Sequence, residues 1–278
     1  MRILQICRRL PLVLTALLLA TSPAAAADVE VYAEGGYTGS SAVVRIYADV
    51  NTAPLVGFGV ALLYDGAQLA VADASKNAAT WYLGDGAANY PYADPDLSVP
   101  GEVVVIGGKL DVADPLAGVG PANRVLLGTV RFDRVVPDVD PGADPVAFFG
   151  VGLDLGRATP YDNFVGTDGA VYDPGVTFAV QLGPDGDADT FADFADNCTL
   201  VANLDQRDTD GDGYGNRCDP DFNNDGGVNF ADLAYLKSRF LSGDPDADLN
   251  GDGGVNFGDL AILKSMFLGP PGPSGLVP

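Results

Sequence analysis

Asp221, Asn223, Asp225, Gly226, Asn229 and Asp232 occupy positions 1, 3, 5, 6, 9 and 12 of a twelve-residue stretch. That pattern suits a hard divalent cation. Calcium takes six to eight oxygens at about 2.3–2.6 Å, and a loop of this length supplies them from positions 1, 3, 5, 7, 9 and 12, with glycine at 6 for the sharp turn. Gly227 would offer its carbonyl from position 7. Asp248, Asn250, Asp252, Gly253, Asn256 and Asp259 repeat the spacing, with Gly254 at position 7. The two stretches are copies, since Gly-Gly-Val-Asn-Phe-x-Asp-Leu-Ala recurs after 27 residues and Lys237-Ser238 returns as Lys264-Ser265.

The same spacing occurs twice upstream. Asp208, Asp210, Asp212, Gly213, Asn216 and Asp219 match it, with Tyr214 at the carbonyl position. Asp185, Asp187, Asp189, Asp193 and Asp196 match as well, except that Thr190 stands where glycine is preferred. An acidic disordered linker is the alternative, but random Asp-rich sequence would rarely repeat one twelve-residue spacing. Calcium is therefore the expected cofactor of all four loops.

The elements that must position these ligands can be read from periodicity. Each of the last two loops runs into a short amphipathic helix, with Leu233, Leu236 and Phe240 on one face of the first and Leu260, Leu263 and Phe267 on one face of the second. One short helix cannot bury its stripe alone, so the copies are expected to pack together around Val228 and Val255 at loop position 8. Before Gly183 the chain reads instead as short strands between turn residues: Val29 to Ala33, Ala42 to Ala48, Gly57 to Tyr64, Glu102 to Lys109, Asn123 to Phe132, Val146 to Leu153 and Val176 to Gln181. With no helix to cross over a parallel sheet, this predicts an antiparallel β-sandwich of the jelly-roll or immunoglobulin-like kind.

Composition narrows the setting. The formal charge is −23, and loss of Arg2, Arg8 and Arg9 with a cleaved leader, which holds no acidic residue, takes it to −26. Such a charge disfavours nucleic acid and anionic membranes as partners. Only Glu30, Glu34 and Glu102 are glutamates; every other acidic residue is aspartate, a turn-former suited to cation loops. With 47% hydrophobic residues the chain can still bury a core. The basic start, the apolar run from Leu10 to Ala20 and the small residues Ser22 to Ala27 predict a secretory signal cleaved near Ala26 or Ala27, too short to span a bilayer. The protein is accordingly expected outside the cytoplasm, secreted or at the cell surface. Cys7 is lost with the leader, which leaves Cys198 and Cys218 as an even pair in an oxidising compartment and predicts a disulfide.

Three resemblances extend this reading. The duplicated loop-helix over Asp219 to Leu268 resembles the type I dockerin domain, with its duplicated F-hand, which implies docking onto a cohesin-type domain. It departs from that family at loop positions 10 and 11, where Phe230-Ala231 and Phe257-Gly258 replace a Ser-Thr-like recognition pair. Phe230, Phe257, Lys237 and Lys264 are the expected partner contacts, with packing inside the loop-helix pair as the alternative for the phenylalanines. The two upstream loops, with Asp196-Asn197-Cys198, Asn203, Asp205-Gln206 and Gly215 to Asp219, resemble a thrombospondin type 3 repeat, in which aspartates wrap calcium and a disulfide closes the turn. The runs Pro54 to Asp65 and Leu126 to Phe132 look like strands of cohesin domains, jelly-roll sandwiches that receive dockerins or, in relatives, bind carbohydrate. The expected organisation is a signal peptide at 1–27, a cohesin-like sandwich at 28–182, a thrombospondin-like repeat at 183–219, a dockerin-like domain at 220–269 and a Pro/Gly-rich tail at 270–278.

The chain contains no histidine, which removes Ser-His-Asp and Cys-His nucleophiles. Paired carboxylates could hydrolyse a glycoside, yet Asp94, Asp96, Asp111, Asp114, Asp162 and Asp168 sit in turn-like surroundings rather than in an acid/base motif. The expectation is a non-catalytic scaffold or adhesion protein, engaging a cohesin-type domain on another protein or on a second copy, in the setting of extracellular polysaccharide metabolism. The alternatives are a carbohydrate-binding module, in which Trp81 with Tyr82 and Tyr90 with Tyr92 could stack on sugar rings although buried or loop-packing aromatics are the better reading of them, and an unrecognised polysaccharide hydrolase.

Overall fold

The computed structural model describes residues 28–51, 53–83, 94–109, 117–135, 153–156, 164–172 and 175–277. The expected leader, the greater part of the strand expected at Val146 to Leu153, and Tyr90, Tyr92, Asp111, Asp114 and Asp162 lie outside the described residues.

Among the described residues, ten strands build a two-sheet sandwich. One sheet has the order β4 (Leu69–Lys76), β6 (Ala122–Arg134), β2 (Ser41–Val50), β1 (Val29–Thr38) and β10 (Gly175–Pro184). In the other, β3 (Leu55–Leu63) pairs with β5 (Glu102–Gly108) and also with β7 (Asp154–Gly156) and β8 (Phe164–Gly166), with β9 (Val171–Tyr172) beyond β8. A contact of β10 with β7 at Ala179 and Asp154 joins the two sheets. Among the described residues every pairing is antiparallel except that of β1 with β10, which run parallel. The expected all-antiparallel arrangement is corrected at this one place. Two strands so far apart in sequence need no hairpin between them, so nothing local dictates their relative direction.

Alternation along the strands sorts residues between the faces. On β2, Val44, Ile46 and Ala48 enter the core with Val31 and Ala33 of β1 and Val130 and Phe132 of β6. Opposite them lie Phe58, Val60 and Leu62 of β3 and Val103 and Val105 of β5. Trp81 is fully buried among these, its ring edge-on to Phe58 at 4.9 Å and its indole N–H donating to the Leu126 carbonyl. It is a core residue, as the favoured reading of this aromatic expects, and is not available to stack on a sugar.

The other face of β1 and β2 carries Tyr32, Glu34, Arg45 and Tyr47. Tyr32 stacks on Tyr47 at 5.8 Å, and Arg124 lies over Tyr47 while pairing with Glu34 at 2.9 Å. Across this face runs the segment that follows β10. The last strand extends two residues past the expected boundary at 182 and passes directly into Asp185, whose N–H donates to the Tyr37 carbonyl.

The C-terminal helices, α1 (Phe230–Ser238) and α2 (Phe257–Met266), share a second core of Val228, Leu236, Ala247, Leu249, Val255 and Leu263. Val228 and Val255 do meet in that core. Their backbones, however, pair across the repeat: Val228 bonds Leu268 and Gly269 after α2, and Val255 bonds Leu241 and Ser242 after α1. Among the described residues, no helix is long and apolar enough to cross a membrane.

Candidate metal centre and docking face

All four acidic loops fold alike. In each, the carboxylate at position 1 accepts the backbone N–H of position 6: Asp185 from Thr190 at 2.8 Å, Asp208 from Gly213 at 3.0 Å, Asp221 from Gly226 at 2.7 Å and Asp248 from Gly253 at 2.9 Å. Position 4 takes a left-handed backbone at Ala188, Gly211, Asn224 and Gly251, and so does position 6 at Thr190, Gly213, Gly226 and Gly253. Glycine adopts that conformation without a steric cost. The first loop adopts it with Ala188 at φ 66° and Thr190 at φ 81°, so the turn is shared despite the departure from glycine.

The ligand-bearing side chains converge. Ligand oxygens of Asp185, Asp187 and Asp189 all lie within 4.8 Å of one another, as do those of Asp208, Asp210 and Asp212. Asp193 closes the first loop by accepting the Gly186 N–H at 2.7 Å. Asp196 is buried and accepts from Gln206 and the Cys198 N–H. In the third and fourth loops, Asn223 and Asn250 each donate to the carboxylate two residues on, Asp225 and Asp252.

Positions 9 and 12 have a second task in these two loops. Asn229 and Asn256 are the N-caps of α1 and α2, and Asp232 and Asp259 return the bond to the N-cap N–H at 2.7 Å, a complete capping box in each copy. The loop therefore ends where the helix begins. The amide nitrogens of Asn229 and Asn256 face the oxygens of Asp225 and Gly227 and of Asp252 and Gly254. Position 9 often acts through a water in such loops, which suits a side chain already occupied as a cap. Asn216, the corresponding residue of the second loop, is spent differently, its amide bonding Thr209 and the carbonyls of Pro245 and Asp246.

Two carboxylate oxygens test whether a cation fits. Asp232 is wholly buried, and its Oδ1 has no hydrogen-bond partner; Asp187 Oδ2 is buried and likewise unpartnered. A buried unpaired carboxylate oxygen is costly unless a cation satisfies it. Burial pushes the Asp219 carboxyl up to about 8, reinforced by the charges of Asp212, Asp210 and Asp221, and burial with the neighbouring Asp189 takes Asp187 to about 6. Asp196, Asp212 and Asp232 are also raised, burial first. The donor set, all hard oxygen, suits calcium.

These shifts set a pH dependence. A carboxyl raised in the folded, ion-free state favours that state below its unfolded value and disfavours it as pH climbs through the raised one. Calcium needs the deprotonated form. Apparent calcium affinity is thus expected to rise between about pH 5 and pH 8, with proton release on binding. Calorimetric titrations in buffers of different ionisation enthalpy will show it, and pH-independent affinity over that range would contradict it.

Cys198 and Cys218 form the expected disulfide, with Cα atoms 5.7 Å apart, both side chains buried. Asn203 bonds Asn197 and the Asp189 carboxylate beside it. The tail, absent from the sequence-based site, docks here. The Pro273 carbonyl accepts from the Thr199 N–H, Gly272 donates to the Cys218 carbonyl, Gly275 to the Asp196 carbonyl and the Ser274 hydroxyl to the Gly213 carbonyl. Its Pro/Gly composition gives no periodic signal, and only the backbone ladder reveals its place. Arg207 and Arg217 fasten this segment to the last loop and its approach through the carbonyls of Pro245, Asp248 and Asn250.

The expected partner contacts lie at the surface. Phe230 and Phe257 are 73% and 75% exposed, which decides against packing inside the pair. Each touches the helix end of the other copy edge-on, Phe230 against Phe267 and Phe257 against Phe240, both at 5.1 Å. Leu268 and Leu241 stand exposed after those helix ends, so two equivalent apolar pads result. Lys237 and Lys264, in the last turns of α1 and α2, are exposed. Of the candidate hydrolytic carboxylates within the described residues, Asp96 and Asp168 each accept the N–H two residues on, Ser98 and Ala170, as turn formers do.

Residues 219–268 match the dockerin type I domain family. No curated protein sequence is significantly similar to the chain. Among solved structures, the sixth cohesin of scaffoldin B from Acetivibrio cellulolyticus, in complex with a dockerin, is 14% identical with a TM-score of 0.39, over 57% of this chain and 99% of that one. A type I cohesin–dockerin complex from Clostridium thermocellum is 11% identical with a TM-score of 0.38, over 55% and 98%. A type II cohesin-dockerin domain from Bacteroides cellolosolvens is 39% identical with a TM-score of 0.18, over 18% of this chain and 85% of that one. At these scores the sandwich architecture rests on its own strand order.

Proposed function

We propose that this protein is an exported, non-catalytic adaptor whose dockerin domain, shaped by calcium, docks onto a cohesin-type sandwich, in the service of extracellular polysaccharide metabolism. The observation that carries the reading is the pair of exposed phenylalanine pads mounted on two calcium-type loops. Large aromatic side chains held at 73% and 75% exposure on a rigid helix start are poor solvent-facing residues and good anchors. Each pad sits at loop position 10, one residue after the capping asparagine, so an ion that orders the loop also orders the anchor. Lys237 and Lys264 add positive charge to the helix ends of an otherwise strongly acidic protein. Absence of histidine and the turn roles of Asp96 and Asp168 support a non-catalytic role.

Binding to cohesin domains, followed by calorimetry in calcium and in EDTA, tests the proposal. Replacing both Phe230 and Phe257 by Ala is expected to weaken the complex by about 100-fold or more, the scale of losing central aromatic anchors, while leaving calcium stoichiometry unchanged. Binding that is indifferent to calcium and to both substitutions would overturn the docking role. Light scattering of the chain alone, over a concentration series in calcium, separates an external partner from a second copy. Release of reducing sugar from polysaccharide by the purified chain would overturn the non-catalytic assignment.

A further inference from the structure

We propose that Arg45 and the first acidic loop form a calcium-set splint that holds the C-terminal unit at a fixed attitude to the sandwich; this rests on reading that loop as a calcium site. No linker separates the two parts. β10 ends at Pro184, Asp185 donates its N–H to the Tyr37 carbonyl at 3.2 Å, and the Thr38 hydroxyl donates to the Asp185 carbonyl at 3.3 Å. The first ligand of the loop is thus already tied to strand β1.

Five residues on, the loop is gripped again. The Arg45 guanidinium, 8% exposed on the outer face of β2, donates from Nη1 to the Thr190 carbonyl and from Nη2 to the Thr190 hydroxyl, each at 2.5 Å, and lies over the Phe191 ring at 3.8 Å. Gly36 of β1 permits this approach, since a Cβ there would come within 2.9 Å of the Phe191 backbone. The residue gripped is the one that departs from the loop pattern. Where the other three loops place glycine at position 6, this loop places Thr190 at φ 81°, a conformation that costs a threonine and not a glycine. The hydroxyl supplies the second acceptor of the guanidinium fork, which glycine lacks. The departure therefore exchanges local backbone strain for an attachment to the sandwich.

Calcium enters because the grip needs a formed loop. Thr190 presents both oxygens to Arg45 only while its N–H is held by the Asp185 carboxylate, in the turn that brings Asp185, Asp187 and Asp189 within 4.8 Å. An ion at those carboxylates favours the turn and hence the grip. By linkage the grip favours the ion equally.

Small-angle scattering and calcium calorimetry on the full chain test this. In saturating calcium the parent is expected to scatter as one rigid particle. Asp187→Asn should lose one calcium ion, and Arg45→Lys should weaken one site roughly tenfold; both should broaden the distance distribution while helix content is retained. Thr190→Gly, which relieves the strain and removes one acceptor, should broaden the distribution with that site still filled, and it keeps the test decisive if the Arg45 variant misfolds. Emission of Trp81, the sole tryptophan, reports sandwich integrity throughout. Loss of an ion in Asp187→Asn with unchanged scattering would overturn the splint alone. No loss of an ion would overturn the calcium reading of this loop and the splint with it. Parent-like scattering of Arg45→Lys and Thr190→Gly would also exclude the splint.

Discussion

Stripping calcium with EDTA will unfold residues 185–277 and leave the sandwich folded. Without cations, the buried carboxylates of Asp185 and Asp189, with ligand oxygens within 4.8 Å, repel by about 3 kcal/mol at an effective dielectric near 20. The same kind of repulsion recurs in the other loops. Against it stands a small core, six buried apolar residues with eight partly buried ones packed around them, beneath two short helices, which are marginal alone. Binding free energy then becomes folding free energy, worth about 4 kcal/mol per site at free calcium a thousandfold above Kd. The sandwich has its own core around Phe132, Leu62 and Trp81, which contains none of the acidic loops and does not depend on their ions to stay folded.

Helical circular dichroism should therefore collapse in EDTA while Trp81 emission stays fixed. A protease-resistant C-terminal region in EDTA would refute the coupling. Asp232→Asn separates ligand from cap: its amide oxygen can still accept the Asn229 N–H, but the charge and the unpartnered oxygen are lost. Calcium affinity of that loop should fall more than tenfold with α1 intact at saturation, since truncating one partner of a buried charge pair costs on the order of 3 kcal/mol. Parent-like affinity would show that the oxygen is not a ligand.

Removing the disulfide will cost the C-terminal unit about 3 kcal/mol even in saturating calcium. Cys198 and Cys218 are separated by 20 residues, and closing a loop of that length restrains the unfolded chain by about this much in the chain-entropy model. The restraint falls where there is little apolar packing, tying the residues just after the first acidic loop to the end of the second, under the tail that bonds the Cys218 carbonyl. Replacing both cysteines by Ala, or reducing with dithiothreitol, should lower the melting temperature of the helical signal by about 10–20 °C for a unit of this size without moving the melt followed by Trp81. An unchanged melt would mean that the tail and the bound ions already supply the restraint. Two free thiols in natively exported protein would remove the disulfide from the account.

Ligand spacing was legible in the chain because a cation loop is local: twelve consecutive residues contain nearly all its chemistry, and its geometry tolerates few substitutions. The same locality made the amphipathic helices readable, and the capping boxes are a bonus of Asn and Asp at positions 9 and 12. Strand β4 carries no clear strand signal because Leu69–Lys76 is poor in β-branched residues; its pairing with β6, with a bulge between Val71 and Asp73, is what makes it a strand. Burial was the favoured reading of Trp81 and Tyr82 together, yet the two separate into a fully buried core residue and one 41% exposed. Adjacency in sequence does not determine burial.

By itself, then, the sequence determined the acidic loops, their duplication, the following helices, the sandwich class and the cysteine pair, each of which is written in short-range spacing or composition. Tertiary structure alone decided three things. It set β1 parallel to β10, brought the tail onto both upstream loops and put Arg45 against Thr190, a contact across 145 residues. Each joins segments whose local patterns carry no information about one another. Thr190 shows the difference within one residue: its misfit at position 6 is visible in the sequence, and its reason is the guanidinium of a distant strand.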